Sequence, residues 1–423
     1  MLRRTFVDSR CPEGRKGTRS SILADPTRWD EKVDLRRGVS VGSPRQITGL
    51  LGPRTEVDMR EVTRDGVGMT IGVDLGDRYS QLCVLDEHGE VCEESRIATT
   101  ERAMRQRLEG MTRCLVVIEV GSHSPWVQRL LEDLGHEVIT AHTQSVRLIY
   151  GGKNKNDRLD AERLARLARV DRKLLHPIRH RGGSAQVDRA VLRSRDVLVA
   201  CRTKLINHTR GVVKSMGARV PSCSADSFHK RAFEDVPEEL KPALGVVIET
   251  IAALTRDIRG YDKRIETLAA KQYPETGILR QVSGVGPVTA LSFVLTVEDP
   301  RRFRSSRSLG AYVGLQPRRS QSGNEDPELR ITKAGDDDLR RLLVGSAHYI
   351  LGPFGPDTDL RRWGLALAAR GRKNAKKRAI VAVARKLAVL LHRLWITAEV
   401  YEPLRNSHRR ADRQDSVPQV MAG

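Results

Sequence analysis

The sequence of 423 residues is poor in aromatic side chains, at 4%, and has no closely spaced cysteine pairs. The six cysteines stand far apart, at Cys11, Cys83, Cys92, Cys114, Cys201 and Cys223. This scatter argues against a zinc ribbon or a disulfide framework and fits a reducing compartment. The sequence also lacks an apolar run of the roughly 20 residues that span a bilayer, and its first residues lack the apolar segment of a signal peptide. We therefore expect a soluble cytoplasmic protein with no membrane partner.

What the sequence has in excess is positive charge. Lys and Arg number 74 against 53 Asp and Glu, so the formal net charge is +21. A charge of this size favours a polyanionic partner such as nucleic acid, although a merely basic soluble protein is the alternative. Because aromatics are scarce, stacking of bases on aromatic side chains cannot dominate that binding. The length suffices for two or three domains.

The composition changes sharply near residue 69. Residues 1–68 are rich in Arg, Gly, Pro, Ser and Asp without apolar periodicity, which predicts a disordered basic extension that is dispensable for chemistry, unless translation begins at Met69. Within 69–182, three short strand patterns, "TIGVDLG", "SQLCVLDE" and "EVCEESRIAT", precede two apolar strands, "CLVVIEV" and "HEVITAH", which alternate with helical stretches. This order predicts a mixed α/β sheet domain.

Residues 183–274 predict a helical region. One stretch carries apolar side chains at alternating spacings of three and four, the pattern of a coiled-coil seam: Leu244, Val247, Ile251, Leu254, Ile258, Tyr261, Ile265 and Leu268. An upstream helix repeats apolar residues every seven positions, at Val191, Leu198, Leu205 and Val212, but its second row holds Ser194, Cys201 and His208. The seams pack either within one chain as an antiparallel hairpin or between protomers. Residues 275–400 form a third region, and 401–423 predict a disordered tail.

Four carboxylates stand where solubility does not explain them. Asp157 and Asp160 share one helix face, which Leu164 and Leu167 continue. Burying unpaired carboxylates costs several kcal/mol each, so a cation should lie opposite, either a basic side chain in an ion pair or a divalent metal. Two further acids stand in apolar strands, at Asp74 and Glu119. Four oxygen donors suit Mg²⁺ or Mn²⁺, and two such ions can clamp the oxygens of a phosphodiester displacement.

An ordered set of motifs carries a family resemblance over about residues 70–400. The run "GVDLG", "IEVGSH" and "KNKNDRLDAERLA", followed by "VSGVGPVTA", "GLQPRRSQSG" and "RITKAGDDDLRRLLV", resembles the DEDD transposases of bacterial insertion sequences, in the insertion-sequence one-ten family and its eleven-eleven subgroup. The resemblance implies an RNase H-like, junction-resolvase-type domain whose metal-binding acids are Asp74, Glu119, Asp157 and Asp160. "GVDLG" alone also opens sugar-kinase and chaperone-type ATPases, but their further glycine-rich phosphate loops are not found.

Basic and glycine-rich segments mark candidate nucleic-acid contacts in the third region. "QVSGVGPVTALSF" resembles a helix-hairpin-helix in which Gly284 and Gly286 turn backbone N–H groups toward a phosphate; a plain helix connection is the alternative. Further phosphate contacts are predicted at the two arginines that open the serine motif "RRSQSG" and in the run "RGRKNAKKR", at Arg318, Arg319, Arg372, Lys373, Lys376 and Lys377.

The resemblance also implies a serine nucleophile and a guide. Ser322 in "RRSQSG" matches the family's serine, and its segment contains no histidine to remove its proton, so activation is expected from the acidic metal site of a second protomer. The family uses a structured bridge RNA that pairs with donor and target DNA. The leading hypothesis is therefore a bacterial RNA-guided DNA transposase, a dimer or tetramer at the nucleoid. The alternatives are a junction-resolving nuclease without a covalent intermediate and a catalytically silent nucleic-acid binder.

Overall fold

The structure is a computed structural model that describes residues 68–142, 157–323, 325, 329–371 and 374–408, without the side chain of Asp157. The predicted N-terminal extension therefore lies outside the described residues apart from Gly68, as do Arg372, Lys373 and residues 409–423. No helix in the described ranges is long and apolar enough to cross a membrane.

The first region is a five-stranded mixed sheet. Its strands are β1 (Thr70–Asp74), β2 (Tyr79–Leu85), β3 (Val91–Ala98), β4 (Leu115–Glu119) and β5 (Glu137–Ala141), in the order β3-β2-β1-β4-β5. The first three strands form an antiparallel meander, whereas β1 pairs with β4 and β4 with β5 in parallel. The predicted mixed α/β sheet is confirmed.

Helices cover both faces of this sheet. Helices α1 (Glu101–Leu108) and α2 (Ser124–Asp133) pack on the face that presents Ile71 and Val73, and α3 (Asp157–Val170) packs on the other. Successive residues of a strand point to opposite faces of the sheet, so Gly72, which lies between Ile71 and Val73, faces α3. The sheet is thus buried on both sides, as its parallel half requires.

The second region is built from long helices that pack on each other within one chain. They are α4 (Gly183–Ser215), α5 (Phe228–Asp235) and α6 (Lys241–Gln272). Ile206 and Val213 of α4 share a buried cluster with Leu244, Ile248 and Ile251 of α6. The intramolecular hairpin, one of the two packing alternatives, is therefore present in the chain.

The buried row of α4 differs from the predicted heptad row. Ser194, Cys201 and His208 are exposed, and the row instead includes Arg202, which is only 7% exposed. Its guanidinium donates to Asp226 at 2.6 Å and to the Thr255 hydroxyl at 3.3 Å. A buried cation with two acceptors replaces an apolar seam position, which hydrophobic periodicity cannot foresee.

The third region has one apolar core formed by short helices around a long one. Its helices are α7 (Thr276–Leu279), α8 (Pro287–Val297), α9 (Ser308–Tyr312), α10 (Asp337–Leu351), α11 (Asp359–Ala368) and α12 (Ala375–Thr397). Leu387 and Leu391 of α12 are fully buried in this core beside Phe293 and Leu343.

Part of the predicted disordered tail is ordered. Residues 401–408 pack at the start of α11, where the Asp359 carboxylate accepts hydrogen bonds from Asn406 N–H at 2.6 Å and from the Ser407 hydroxyl at 2.5 Å. Tyr401 also packs against the apolar core of the third region. The predicted disorder of the tail stays a prediction for residues 409–423, which lie outside the described residues.

Candidate active site and nucleic-acid contacts

Two predicted carboxylates end neighbouring parallel strands. Asp74 is the last residue of β1 and Glu119 the last of β4, and the parallel register pairs Val73 with Ile118 just before them. Both acids are half-buried. Glu119 follows the alternation of Leu115 and Val117, which pack toward α3, so Asp74 and Glu119 face the same helix.

The third described carboxylate, Asp160, stands in a helix, α3, that lies unusually close to β1. A Cβ added at Gly72 would stand 1.9 Å from the carbonyl oxygen of Ala161, so only a glycine lets the helix pack directly on the strand backbone. Asp160 immediately precedes Ala161 in α3. This close packing thus fixes the distance between the sheet and the first turn of α3, which carries Asp160.

The direction of α3 places its first turn at the carboxyl ends of β1 and β4. At the far end of the helix, Arg166 donates to Gly89 O at 3.1 Å and Arg169 donates to Asp86 O at 3.0 Å. That β2–β3 turn lies beside Thr70, the start of β1, because Thr70 pairs with Leu85. The first turn of α3 therefore lies toward Asp74, and we call Asp74, Glu119 and Asp160 the acidic edge.

The donor atoms of the acidic edge are of the type that binds a hard divalent cation. Its donors are carboxylate oxygens, the ligands of Mg²⁺ and Mn²⁺. Among the described residues, no three or more His, Cys, Asp or Glu side chains are grouped closely enough to hold a metal ion, and the side chain of Asp157, one turn before Asp160, is not described. Arg163 lies 3.1 Å from Asp160, so the ion pair that was the alternative is present there. That pair is part-exposed, and such pairs contribute little to stability.

A histidine and a tryptophan order the loop after β4. The Trp126 indole N–H donates to His123 Nδ1 at 3.1 Å, and His123 Nε2 lies 3.7 Å from Asp77 in the loop after β1. The Ser124 hydroxyl donates to Gly121 O at 2.9 Å and accepts from Gly121 N–H at 3.0 Å. These contacts hold the loop that follows Glu119.

Ser322 lies elsewhere, near the tip of an exposed hairpin that we call the serine arm, residues 314–335. Backbone hydrogen bonds join the two sides of the arm near its base, from Lys333 N–H to Gly314 O at 3.1 Å, from Thr332 N–H to Gln316 O at 2.8 Å, and from Arg318 N–H to Arg330 O at 3.0 Å. At the tip Ser322 and Glu325 exchange backbone hydrogen bonds of 3.1 and 3.0 Å. Gly323 there has a φ of +56°, which suits the tight two-residue turn.

The base of the serine arm is locked by a buried arginine and two glycines. Arg340 is 8% exposed and donates to Val313 O and Ala334 O, each at 3.0 Å, so one side chain ties both ends of the arm. A Cβ at Gly314 would lie 2.1 Å from Ala334 O, and one at Gly335 would lie 1.9 Å from Tyr312 O. The arm therefore projects from a base that admits no side chain at either glycine.

Sequence reasoning missed a carboxylate that the structure pairs with Ser322, that of Glu325. Because Ser322 and Glu325 form an antiparallel pair, their side chains leave the hairpin on the same face, with Cβ atoms about 5 Å apart. Both residues are exposed. The signal was present in "SGNE", a two-residue turn whose flanking residues must pair.

The aspartates after the arm join it to the second region. Asp336 accepts from Leu339 N–H at 2.9 Å as the N-cap of α10 and from Arg189 of α4 at 2.7 Å. Burial alone would raise the pKa of this carboxyl, but the Leu339 N–H and the Arg189 guanidinium hold the pKa below its ordinary value. The motif "GDDD" is thus a junction with α4 at the foot of the serine arm.

The predicted phosphate contacts are exposed where the structure describes them. Arg318 and Arg319 lie on the serine arm, and Lys376 and Lys377 lie in the first turn of α12. Cations at a helix N-terminus oppose the helix dipole at a cost of about 0.3–1 kcal/mol each, so helix stability does not explain these lysines. Gly284, with a φ of +89°, forms the turn between α7 and α8, and Gly286 is the N-cap of α8.

Comparisons with known proteins match the part of the chain that contains the acidic edge and the part that contains the serine arm. A transposase family model, DEDD_Tnp_IS110, matches residues 71–217, and a second, described as the transposase IS116/IS110/IS902 family, matches residues 276–356. The transposase for insertion sequence element IS1111A of Coxiella burnetii is 31% identical over 345 residues, which cover 78% of this chain and 90% of that protein. The chain belongs to the IS110 family of transposases.

Two further relatives are similar to the chain. The transposase for insertion sequence element IS1328 of Yersinia enterocolitica is 29% identical over 66% of this chain and 83% of that protein. The pilin gene-inverting protein of Moraxella lacunata is 28% identical over 27% of this chain and 34% of that protein. In this IS110-family transposase the first matched segment contains the acidic edge, and the second contains the serine arm.

Proposed function

We propose that this transposase cuts and rejoins DNA strands with two separate sets of groups, the acidic edge and Ser322. The observation that carries the proposal is the pairing of β1 with β4, which ends both strands in carboxylates facing the first turn of α3. The pilin gene-inverting relatives, whose name describes DNA inversion, support recombination as the reaction class.

Mg²⁺ or Mn²⁺ would be held by Asp74, Glu119, Asp157 and Asp160. When bound there, the cation would neutralise charge on the phosphate under attack and on the departing oxygen. The protein's own contribution is to hold the carboxylates at one end of the sheet, and the half-buried positions of Asp74 and Glu119 limit access of water to them.

The serine step needs a proton acceptor and a leaving group. Ser322 Oγ gives up its proton and bonds to the phosphorus, and the bond from phosphorus to one sugar oxygen breaks. The departing sugar oxygen takes up a proton from water and becomes a hydroxyl. We place Glu325 as the first acceptor of the serine proton, since it pairs with Ser322 across the turn. Attack by the hydroxyl of a second DNA strand reverses the step and joins that strand.

The two sets of groups meet, in this proposal, between protomers. The exposed part of the serine arm begins at Gln316 and spans about six residues to Ser322, roughly 20 Å at the rise of a strand. An arm of this reach can present Ser322 to the acidic edge of another copy in a dimer or tetramer. This arrangement would keep a lone protomer from cutting DNA.

Further parts of the assembly follow from the family. A bridge RNA would pair with donor and target DNA and so supply the sequence choice that the exposed arginines and lysines do not. We also propose an RNase H-like fold for residues 69–182, a coiled-coil region at 183–274, and a transposase domain with a helix-hairpin-helix-like motif at 275–400. Ile251 and Ile258 are buried within the chain, so substitutions there test folding rather than assembly.

Trapping a covalent adduct tests the function. Protein carrying its copurified RNA is mixed with donor and target DNA, denatured, and examined for DNA that migrates with protein. We expect an adduct that requires divalent cations and is lost on addition of EDTA. Cation-dependent cleavage without any adduct would replace the transposase mechanism by the junction-nuclease mechanism, and RNA-independent recombination would remove the guide.

A further inference from the structure

A groove beside the turn at Gly284 has the features of a ligand site. It has a volume of about 590 Å³ and lies between that turn, the start of α8 and one face of α10. A Cβ at Gly284 would stand 2.9 Å from Tyr349 Cδ1 and 3.2 Å from Ser346 O, so the turn packs tightly against α10. The groove is therefore a fixed concave surface between two elements of one core.

Two largely buried residues of this groove carry hydroxyl groups for which the hydrogen bonds of the described residues include no partner. Thr289 of α8 is 7% exposed and Ser346 of α10 is 5% exposed, and both line the groove. Other helical threonines of this protein donate to the carbonyl four residues earlier, as Thr209 does to Leu205 O at 3.0 Å and Thr255 does to Ile251 O at 2.7 Å. Thr289 and Ser346 make no such bond, so their hydroxyls are available to a bound molecule.

The charges around the groove select an anion. Of the described residues that line it, two are arginines, Arg280 and Arg341, and none is acidic. Arg341 is already bound by Asp196 of α4, whereas Arg280 has a loose contact of 3.5 Å with Glu266. The groove also receives the N-terminus of α8, an 11-residue helix whose first N–H groups lack partners within the helix.

We propose that this groove binds one phosphate of a nucleic-acid backbone, with the hydroxyls of Thr289 and Ser346 donating to its oxygens and Arg280 supplying charge at the rim. The identity of the ligand rests on the proposed function. Thr289, Ser346 and Arg280 were not among the phosphate contacts predicted from the sequence. Such a contact fixes the third region on the nucleic acid without reading its sequence. Tyr349, 46% exposed beside the groove, would cover the sugar next to that phosphate.

Equilibrium binding to labelled duplex DNA of unrelated sequence, in EDTA, tests the groove. We expect Thr289→Val and Ser346→Ala each to raise Kd about tenfold without changing its dependence on salt, because each removes an uncharged donor to a charged acceptor. Arg280→Gln should instead reduce the slope of log K against log salt by about one. Ser292→Ala is the matched control, since Ser292 is buried in the same helix, makes no hydrogen bond and lines a different cavity beside Arg189.

Three outcomes decide whether the groove binds a phosphate of a nucleic acid. Unchanged Kd in both hydroxyl variants, or an equal rise in Ser292→Ala, overturns the site. If inorganic phosphate at millimolar concentration raises the melting temperature of the wild type but not of the variants, while all bind DNA and RNA equally, the groove takes free phosphate and the nucleic-acid proposal is wrong. Weaker binding by the variants alone supports it, even if no protein forms an adduct, in which case only the serine chemistry fails.

Discussion

The acidic edge and the serine arm are built by opposite means. The acidic edge joins residues about 45 and 85 positions apart in the chain, and its geometry depends on strand pairing and on the contact of α3 with Gly72. The serine arm is one continuous hairpin whose ladder and turn use only residues 314–335, closed at its base by Arg340. One group of residues is assembled by the whole sheet domain, and the other is assembled locally.

This difference predicts different sensitivities. A substitution that disturbs packing anywhere in the sheet should disturb the acidic edge, because every member depends on long-range contacts. The serine arm should tolerate changes outside its base, since its hydrogen bonds are short in sequence separation and exposed. Separation of the two groups also allows each to be removed while the other stays intact.

The largest effect is expected from removing each group in turn. Asp74→Ala and Ser322→Ala should each lower recombination by a factor on the order of 10³ or more. If the site is shared between protomers, mixing the two inactive proteins restores part of the activity, because one copy supplies the edge and the other the arm. The measurement is product formed by each protein alone and by the mixture.

Two neighbouring substitutions serve as controls for that experiment. Asp77→Ala removes an exposed carboxylate from the loop after β1, and Ser320→Ala removes a hydroxyl two residues before Ser322. Both should retain activity. No recovery in the mixture, with normal association of the two proteins, would mean that edge and arm of the same protomer act together.

The next effect concerns the close approach of α3. Gly72→Val should lower the free energy of unfolding by about 3 kcal/mol or more, because its side chain meets Ala161 O and forces the helix away. Recombination should fall with it. Urea denaturation gives the first quantity. Gly211→Ala, in α4 with open space around it, should instead stabilise the protein by up to about 1 kcal/mol; an equal loss in both would contradict the steric cause.

The junction at the foot of the arm should show a smaller and pH-dependent effect. Asp336→Asn should cost about 2 kcal/mol at neutral pH, since Arg189 loses its charged acceptor. The pKa of Asp336 is lowered on folding, so its contribution is present above the ordinary pKa and is lost as pH falls through the lowered value. The stability difference between the two proteins should be constant above about pH 5 and shrink below it. A difference that grows on acidification would contradict this assignment.

The smallest effect is expected at the tip of the arm. Glu325→Gln should slow adduct formation about tenfold, less than a typical general base, because an exposed carboxylate is a weak base at neutral pH. Single-turnover rates of adduct formation at several pH values provide the measurement, with Glu325→Asp as the matched control that keeps the charge. Equal rates for the glutamine variant and the wild type would assign the serine proton to the acidic edge instead.

The sequence predicted the sheet because the signals of its strands are local, whereas the metal-binding role of its acids stays a prediction. Apolar strands ending in Asp74 and Glu119, and an acid one turn ahead of a leucine face, can be seen without knowing the fold. The role of Gly72 could not be seen, since it depends on a helix about 90 residues later in the chain. The serine arm was missed for another reason. Its polar residues lack strand-like alternation, so only the short turn "SGNE" indicates a hairpin there.

The helical region shows the same limit of periodicity. The seam of α6 was predicted at eight positions, of which four are buried and four are half-buried. The buried ones are Leu244, Ile251, Ile258 and Ile265, and the half-buried ones are Val247, Leu254, Tyr261 and Leu268. The partner row of α4 contains buried Arg202 and Thr209, which no apolar pattern would include. Whether the remaining half-buried residues of α6 contact another copy stays a prediction.

The closed base of the serine arm makes its length adjustable. Because Gly314, Gly335 and Arg340 fix both ends, two residues added to each side of the arm between 316 and 332 would keep the face of Ser322 while moving the tip outward by about 7 Å. The length of the arm would then set the distance between the held duplex and the point of cutting. Relatives or engineered chains with longer or shorter arms should cut at different offsets from the point where the duplex is held, with no change in the sheet domain.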